Sequence, residues 1–268
     1  MPKEHDDDGE LAKADSGPAA APDARSYIDR LRNEDFNLET EKRLESHPYV
    51  LAAESGSISH AQLRAFATEQ YAIQLSDATS FATLAGHVGF APSSLVGITT
   101  PEPVPTVAAV KATATHPPPP DLFQFLLGGE IYAAPLLLAF ADQLGLGEEA
   151  LKSAHRSAVA QAYPSYWSRL ALGKKRAAGA AACAVNFPAW GRMCGRLAEA
   201  LAKYEDLGFS DKKSLAFIEF FGSPIESLDD MAASIIEEEG SSYEELLEPV
   251  RLLQEYEVMF WDACYSAE

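Results

Sequence analysis

The sequence predicts an all-α protein, and three features carry that expectation. From Ser26 onward apolar residues recur at helical spacing, alanine is the commonest residue, and no segment alternates with period two over the length of a strand. Residues 1–24 mix Asp, Glu, Lys, Pro, Gly and Ala with almost no large apolar side chain, so burial cannot offset the entropy of ordering them. They read as a disordered acidic tail, and 25–268 as one helical domain. Helical spacing then covers 23–34, 37–54 with a break at His47-Pro48, 60–89, 121–144, 147–171, 175–204, 211–221, 226–239 and 243–265. Ser59 precedes the third of these, Ser210 and Asp211 the seventh, and Ser241-Ser242 with Glu244-Glu245 the last, each placing acceptors or negative charge near free N–H groups. Pro188 should kink the sixth by removing a backbone bond. Between 91 and 120 the spacing fails, because Pro92, Pro101, Pro103, Pro105 and the run Pro117 to Pro120 make a Pro-rich connector of that stretch.

The 268 residues are 47% hydrophobic, enough for a single large core. Lys+Arg 21 against Asp+Glu 40 leaves a formal charge of −19, which repels phosphate backbones and anionic lipid headgroups. No nucleic-acid partner and no membrane are expected. No uninterrupted apolar run is long enough to span a bilayer, and the start MPKEHDDDGE lacks the order of a secretory signal, so the expected location is cytoplasmic. Cys183, Cys194 and Cys264 form an odd set without a Cys-x-x-Cys pair and read as reduced core residues.

In an all-helical chain the informative residues are polar ones standing on apolar stripes, since burying them unpaired costs about 1–3 kcal/mol. The stripe Leu63, Phe66, Gln70, Ile73, Asp77, Phe81, Leu84 carries Gln70 and Asp77, with Gln74 one turn beyond Gln70. Leu246, Val250, Leu253, Glu257, Phe260, Trp261 and Cys264 form another, with Glu257 at its middle, where desolvation should raise its pKa and suit it to acid/base work. Cys183, Asn186, Trp190, Met193, Leu197 and Leu201 form a third. Tyr163, Tyr166, Trp167, Phe220 and Phe221 add aromatic surface. Together they suit a pocket for a small planar heterocyclic ligand. The competing reading makes the amides helix contacts and pairs Asp77 and Glu257 with Arg64, Arg192 or Arg196. No Glu-x-x-His or His-x-x-x-His pair appears, so no metal is expected, and neither a P-loop nor a Gly-x-Ser-x-Gly elbow is present.

His47-Pro48-Tyr49-Val50, Gly56, Leu63-Arg64-Ala65-Phe66 with Gln70-Tyr71, Ala162-Tyr163, Phe217 to Pro224 and the ending Tyr256 to Tyr265 resemble the TenA/thiaminase II family over about 40–266. The His-Pro-Tyr start is shared with the related PqqC-like proteins. The resemblance implies a haem-oxygenase-like helical bundle, whose members include aminopyrimidine hydrolases, cofactor-free oxidases and di-iron oxidases. It places the family's catalytic glutamate on Glu257 and a pocket tyrosine on Tyr163. Other positions depart: the nucleophilic cysteine falls on Asn186, a tyrosine on Trp190, the pyrimidine-binding aspartate on Gln70 and a later tyrosine on Phe221. An amide is no nucleophile, and the thiol nearest that position is Cys183. The resemblance thus implies a hydrolase of an aminopyrimidine-type thiamin breakdown product, independent of cysteine and of any cofactor. Glu257 would be its acid/base, and Gln70, Gln74, Asp77, Tyr163, Asn186, Trp190 and Phe221 would hold the ring. A non-catalytic ligand-binding or protein-interaction module and a PqqC-like oxidase are the alternatives. Family members commonly form homo-oligomers.

Overall fold

The structure, a computed structural model, describes residues 23–102, 120–204, 208–209 and 212–268. Among them are α1 (Ala24–Arg32), α2 (Asp35–Glu45), α3 (Pro48–Glu54), α4 (His60–Leu84), α5 (Leu122–Gln143), α6 (Glu148–Ser153), α7 (Ala162–Leu172), α8 (Arg176–Leu201), α9 (Lys212–Gly222), α10 (Leu228–Glu239) and α11 (Tyr243–Tyr265), with no strand. The expected tail, up to residue 22, and most of the Pro-rich connector, 103–119, lie outside the described residues, as do Ser210 and Asp211.

Local chemistry explains the boundaries. Ser59 and Gln62 form a reciprocal capping box that starts α4, and Ser242 with Glu245 does the same for α11. His47 Nδ1 accepts the Tyr49 N–H at 3.2 Å and Pro48 stands in the first turn of α3, so the chain breaks where the sequence places the break. The single helix expected over 147–171 is instead two, α6 and α7. The buried Glu69 carboxylate accepts the Ser157 N–H at 2.8 Å and the Gln161 amide at 2.6 Å, bonds that draw the intervening loop onto α4. α4 ends at Leu84 rather than 89, followed by the left-handed Gly86.

α8 is the spine, packing on α3, α9, α10 and α11. Its first half, Ala177 to Val185, is a buried run of mostly alanine, so neighbouring helices come close. It runs through Pro188 as one helix. The proline has no N–H to offer the Ala184 carbonyl, and Arg32 Nη2 on α1 donates to that carbonyl at 2.7 Å instead. Further along, a Cβ on Gly222 of α9 would stand 3.0 Å from Gly195 Cα, so the α8–α9 contact requires glycine.

Side chains gather into two cores. One centres on Phe66, Phe140, Phe217 and Trp261, the other on Phe81, Phe123 and Trp167, and Tyr163 packs against both. Phe66 is the hub of the first: it stacks on Trp190 at 9° and Trp261 at 25° and meets Phe140, Phe217 and Phe260 edge-on. α5 is long and apolar enough to cross a membrane, although Gln124, Glu130 and Asp142 interrupt its apolar run. Here it packs against α4 and α9 as a core helix. Replacing Phe66 with alanine is expected to cost about 3–5 kcal/mol, read as a lowered urea midpoint.

Candidate functional site

A cavity of about 1350 Å³ lies along the seam between the two cores. α4 contributes Gln70, Ile73 and Asp77, α5 Glu130, α7 Tyr163, α8 Asn186 and Trp190, α9 Phe221, and α11 Glu257 and Phe260. Seven of the eight side chains expected from sequence therefore meet in one space. The exception is Gln74, which is buried behind the wall and donates from Nε2 to the Glu130 carbonyl at 2.8 Å. Gln74 thus ties α4 to α5 and is not among the residues that line the cavity. Gly191, Gly195, Gly222 and Ser223 continue the lining, with Arg25, Arg32, Arg192 and Arg196. At about 1350 Å³ it exceeds an ordinary small-molecule pocket, about 300–1,000 Å³.

A relay of side chains fixes the deepest carboxyl. The Tyr163 hydroxyl donates to Asn186 Oδ1 at 3.5 Å. Asn186 Nδ2 donates to Gln254 Oε1 at 2.8 Å and also to Glu257 Oε2. Trp261 Nε1 donates to Glu257 Oε1 at 3.2 Å. Both amide hydrogens of Asn186 are thereby used, which sets its rotamer and turns its oxygen to Tyr163. Burial pushes the Glu257 carboxyl up to about 8, and the bonds from Trp261 and Asn186 pull the other way without reversing it. At neutral pH the group is therefore mostly protonated, a proton donor in an aromatic chamber.

Neither expected ion pair forms. Arg64 Nη1 donates to the Leu144 carbonyl at 2.6 Å, Arg192 pairs with Glu41, and Arg196 pairs with Glu54 at 2.7 Å. The reading that made Asp77 and Glu257 members of such pairs is corrected by these partners, although Arg192 and Arg196 still line the cavity and the Arg192 charge is felt by Glu257 through space. Cys183 is likewise fully buried in the second core and absent from the cavity wall. Burial first and the charge of Asp77 second push its thiol well up, the opposite of what a nucleophile needs. Cys194 and Cys264 are buried too, and burial raises both.

Two polar residues of the site escaped the sequence reading. Glu130 lies on the stripe Leu126, Leu127, Ala133, Ala134, Leu137. The criterion that singled out Glu257 would have found it. Gln254 stands one turn before Glu257 on the buried face of α11, beside the apolar Leu253.

A fold of packed helices with a carboxyl and amides inside an aromatic chamber defines the class, and comparison of the sequence gives the family. The model of the TENA/THI-4/PQQC family matches residues 105–267, and the chain belongs to that family. None of the curated proteins matches the sequence. Among solved structures, a TenA homolog from Pseudomonas syringae pv. tomato superposes with a TM-score of 0.65 at 13% identity, covering 89% of this chain and 92% of that one. A TenA homologue from P. horikoshii OT3 gives 0.57 at 14% identity, covering 89% and 98%. At such identity the likeness establishes the haem-oxygenase-like fold and leaves the chemistry to the residues in the cavity.

The raised Glu257 makes stability pH-dependent. Its proton is kept in the fold up to about 8 but is lost in the unfolded chain near the ordinary 4.5, so the contribution present below 4.5 drains away as pH rises toward 8. Glu257→Gln removes that loss. The variant should melt at least about 2–4 °C higher than the parent at pH 8 and gain little at pH 4.5, as read by circular dichroism.

Proposed function

We propose that this protein hydrolyses an aminopyrimidine-type thiamin breakdown product, with Glu257 as its acid/base and without a thiol nucleophile. The observation that carries the reading is the Glu257 carboxyl, buried in the cavity and held by Asn186 and Trp261 with its proton retained to about 8. The family membership supports the substrate class.

The chemistry follows from the position of that proton. Glu257 donates it to the departing amine of an aminomethyl-substituted ring, so that ammonia leaves rather than an amide anion. The carboxylate formed then takes a proton from the water that attacks the methylene carbon, giving a hydroxymethyl product and restoring the acid. Aminomethylpyrimidine plus water thus yields hydroxymethylpyrimidine plus ammonia, with no net change in the enzyme. Tyr163 and Asn186 hold the acid in place, and Trp190, Phe221 and Phe260 form apolar walls that enclose a flat ring. The cytoplasm is the proposed location, and a small heterocycle the proposed partner.

Incubation of the purified chain with an aminomethyl-aminopyrimidine, its formyl derivative and thiamin, followed by mass spectrometry, tests the reading. Release of hydroxymethylpyrimidine should fall about 10²–10⁴-fold in Glu257→Gln. The absence of turnover by the parent would overturn it and favour a binding module. In the active enzyme kcat/KM should decline as pH rises past about 8. Asn186→Ala should move that limb to higher pH, because it removes a donor that favours the ionised form.

A further inference from the structure

Asp77 and Glu130 have no part in that mechanism, yet both line the same chamber. They stand on α4 and α5, which pack side by side and are tied at this level by the Gln74 bond to the Glu130 carbonyl. Asp77 is 4% exposed, and its Oδ1 has no hydrogen-bond partner. None of the ion pairs among the described residues includes Asp77, Glu130 or Glu257. Four arginines line the cavity, Arg25, Arg32, Arg192 and Arg196, but they pair with Asp230, Asp229, Glu41 and Glu54. A buried acceptor beside a second carboxyl, neither in an ion pair, is costly unless something else supplies the donors.

We infer that Asp77 and Glu130 form a cation subsite that takes the charged N–H edge of a planar, amidinium-like ligand. Two carboxyls on facing helices present oxygens to two N–H groups of one edge, which is the geometry that suits an amidinium. The rings of Tyr163, Trp190 and Phe221 lie around the same chamber and cover the ligand's faces. A neutral amide of the same shape would offer one edge donor fewer and no charge. This inference rests on the chamber being a ring-binding site, as the proposed function has it, but it does not require turnover.

Protonation agrees with the placement. Burial first, and the facing Glu130 second, hold Asp77 well above the usual carboxylate range, and burial pushes Glu130 up to about 8. The other titratable groups facing Asp77 are Tyr163 on α7 and Cys183 on α8, both raised mainly by burial and so neutral in this range. Glu257 on α11 titrates near 8 in the same chamber. An arriving cation therefore displaces a proton from the pair, and its affinity climbs with pH.

The test uses benzamidine as the cation and benzamide as its neutral isostere, each titrated calorimetrically into the full chain. Benzamidine should bind at least about tenfold more tightly than benzamide at pH 7. It should also release protons, seen as a heat that varies with the ionisation enthalpy of the buffer, and its affinity should rise by up to about tenfold per pH unit between 6 and 8. Asp77→Asn and Glu130→Gln keep the side-chain shape and should melt no lower than the parent. Each should lose the preference for benzamidine, and Glu257→Gln should keep it. Equal binding of the two probes, binding of neither, or a preference that survives in both amide variants would overturn the inference. Those outcomes are independent of whether hydroxymethylpyrimidine is formed, so the subsite and the hydrolase reading fail separately.

Discussion

The close packing of other helices around α8 is the constraint on which the remaining structure rests. An α-helix clothed from Ala177 to Ala184 in alanine, one glycine and one cysteine lets its neighbours approach closely. A Cβ on Gly179 would already stand 3.1 Å from Phe123 and 3.2 Å from Trp167. Further along the same helix the short Asn186 side chain bridges to Gln254 and Glu257 on α11. Larger residues on this face would move α11 outward and leave Glu257 without the amide that orients it. The same helix tolerates Pro188 because Arg32 of α1 satisfies the carbonyl that the ring leaves free.

Burial converts this architecture into chemistry. Asp77, Glu130 and Glu257 are common residues with ordinary acidities in water, and all three are displaced upward because the cavity wall replaces the water that would solvate their charge. Their roles separate by partner. Glu257 receives two side-chain donors and is held in one orientation, as a proton donor should be. Asp77 keeps an oxygen unmatched, and Glu130 faces it. Within a family whose fold carries several chemistries, such differences between carboxyls carry more information than the fold itself.

The legibility of these features followed physical lines. Gln70, Asp77, Asn186 and Glu257 stood out because a polar side chain on an apolar stripe is conspicuous in one dimension, and the bundle brings all four to one cavity. Gln74 lies on the same helix one turn on and looked equivalent, but whether it reaches the cavity or the neighbouring backbone depends on where α5 runs. Glu130 satisfies the same criterion, standing on the buried stripe of α5. The break between α6 and α7 was illegible for another reason. Residues 154–161 keep acceptable helical spacing, and what opens them is the Glu69 carboxylate arriving from α4.

The sequence by itself determined the helical class, most of the helix limits and the buried faces, because periodicity, caps and prolines act through neighbours a few residues away. Its motifs also pointed to the family to which the chain belongs. The tertiary structure alone decided which arginines pair with which acids, that Cys183 turns into a core and away from the cavity, and that Asp77 and Glu130 face each other. Those outcomes depend on the relative placement of helices far apart in the chain, and the electrostatics of a buried group is set by what surrounds it in three dimensions.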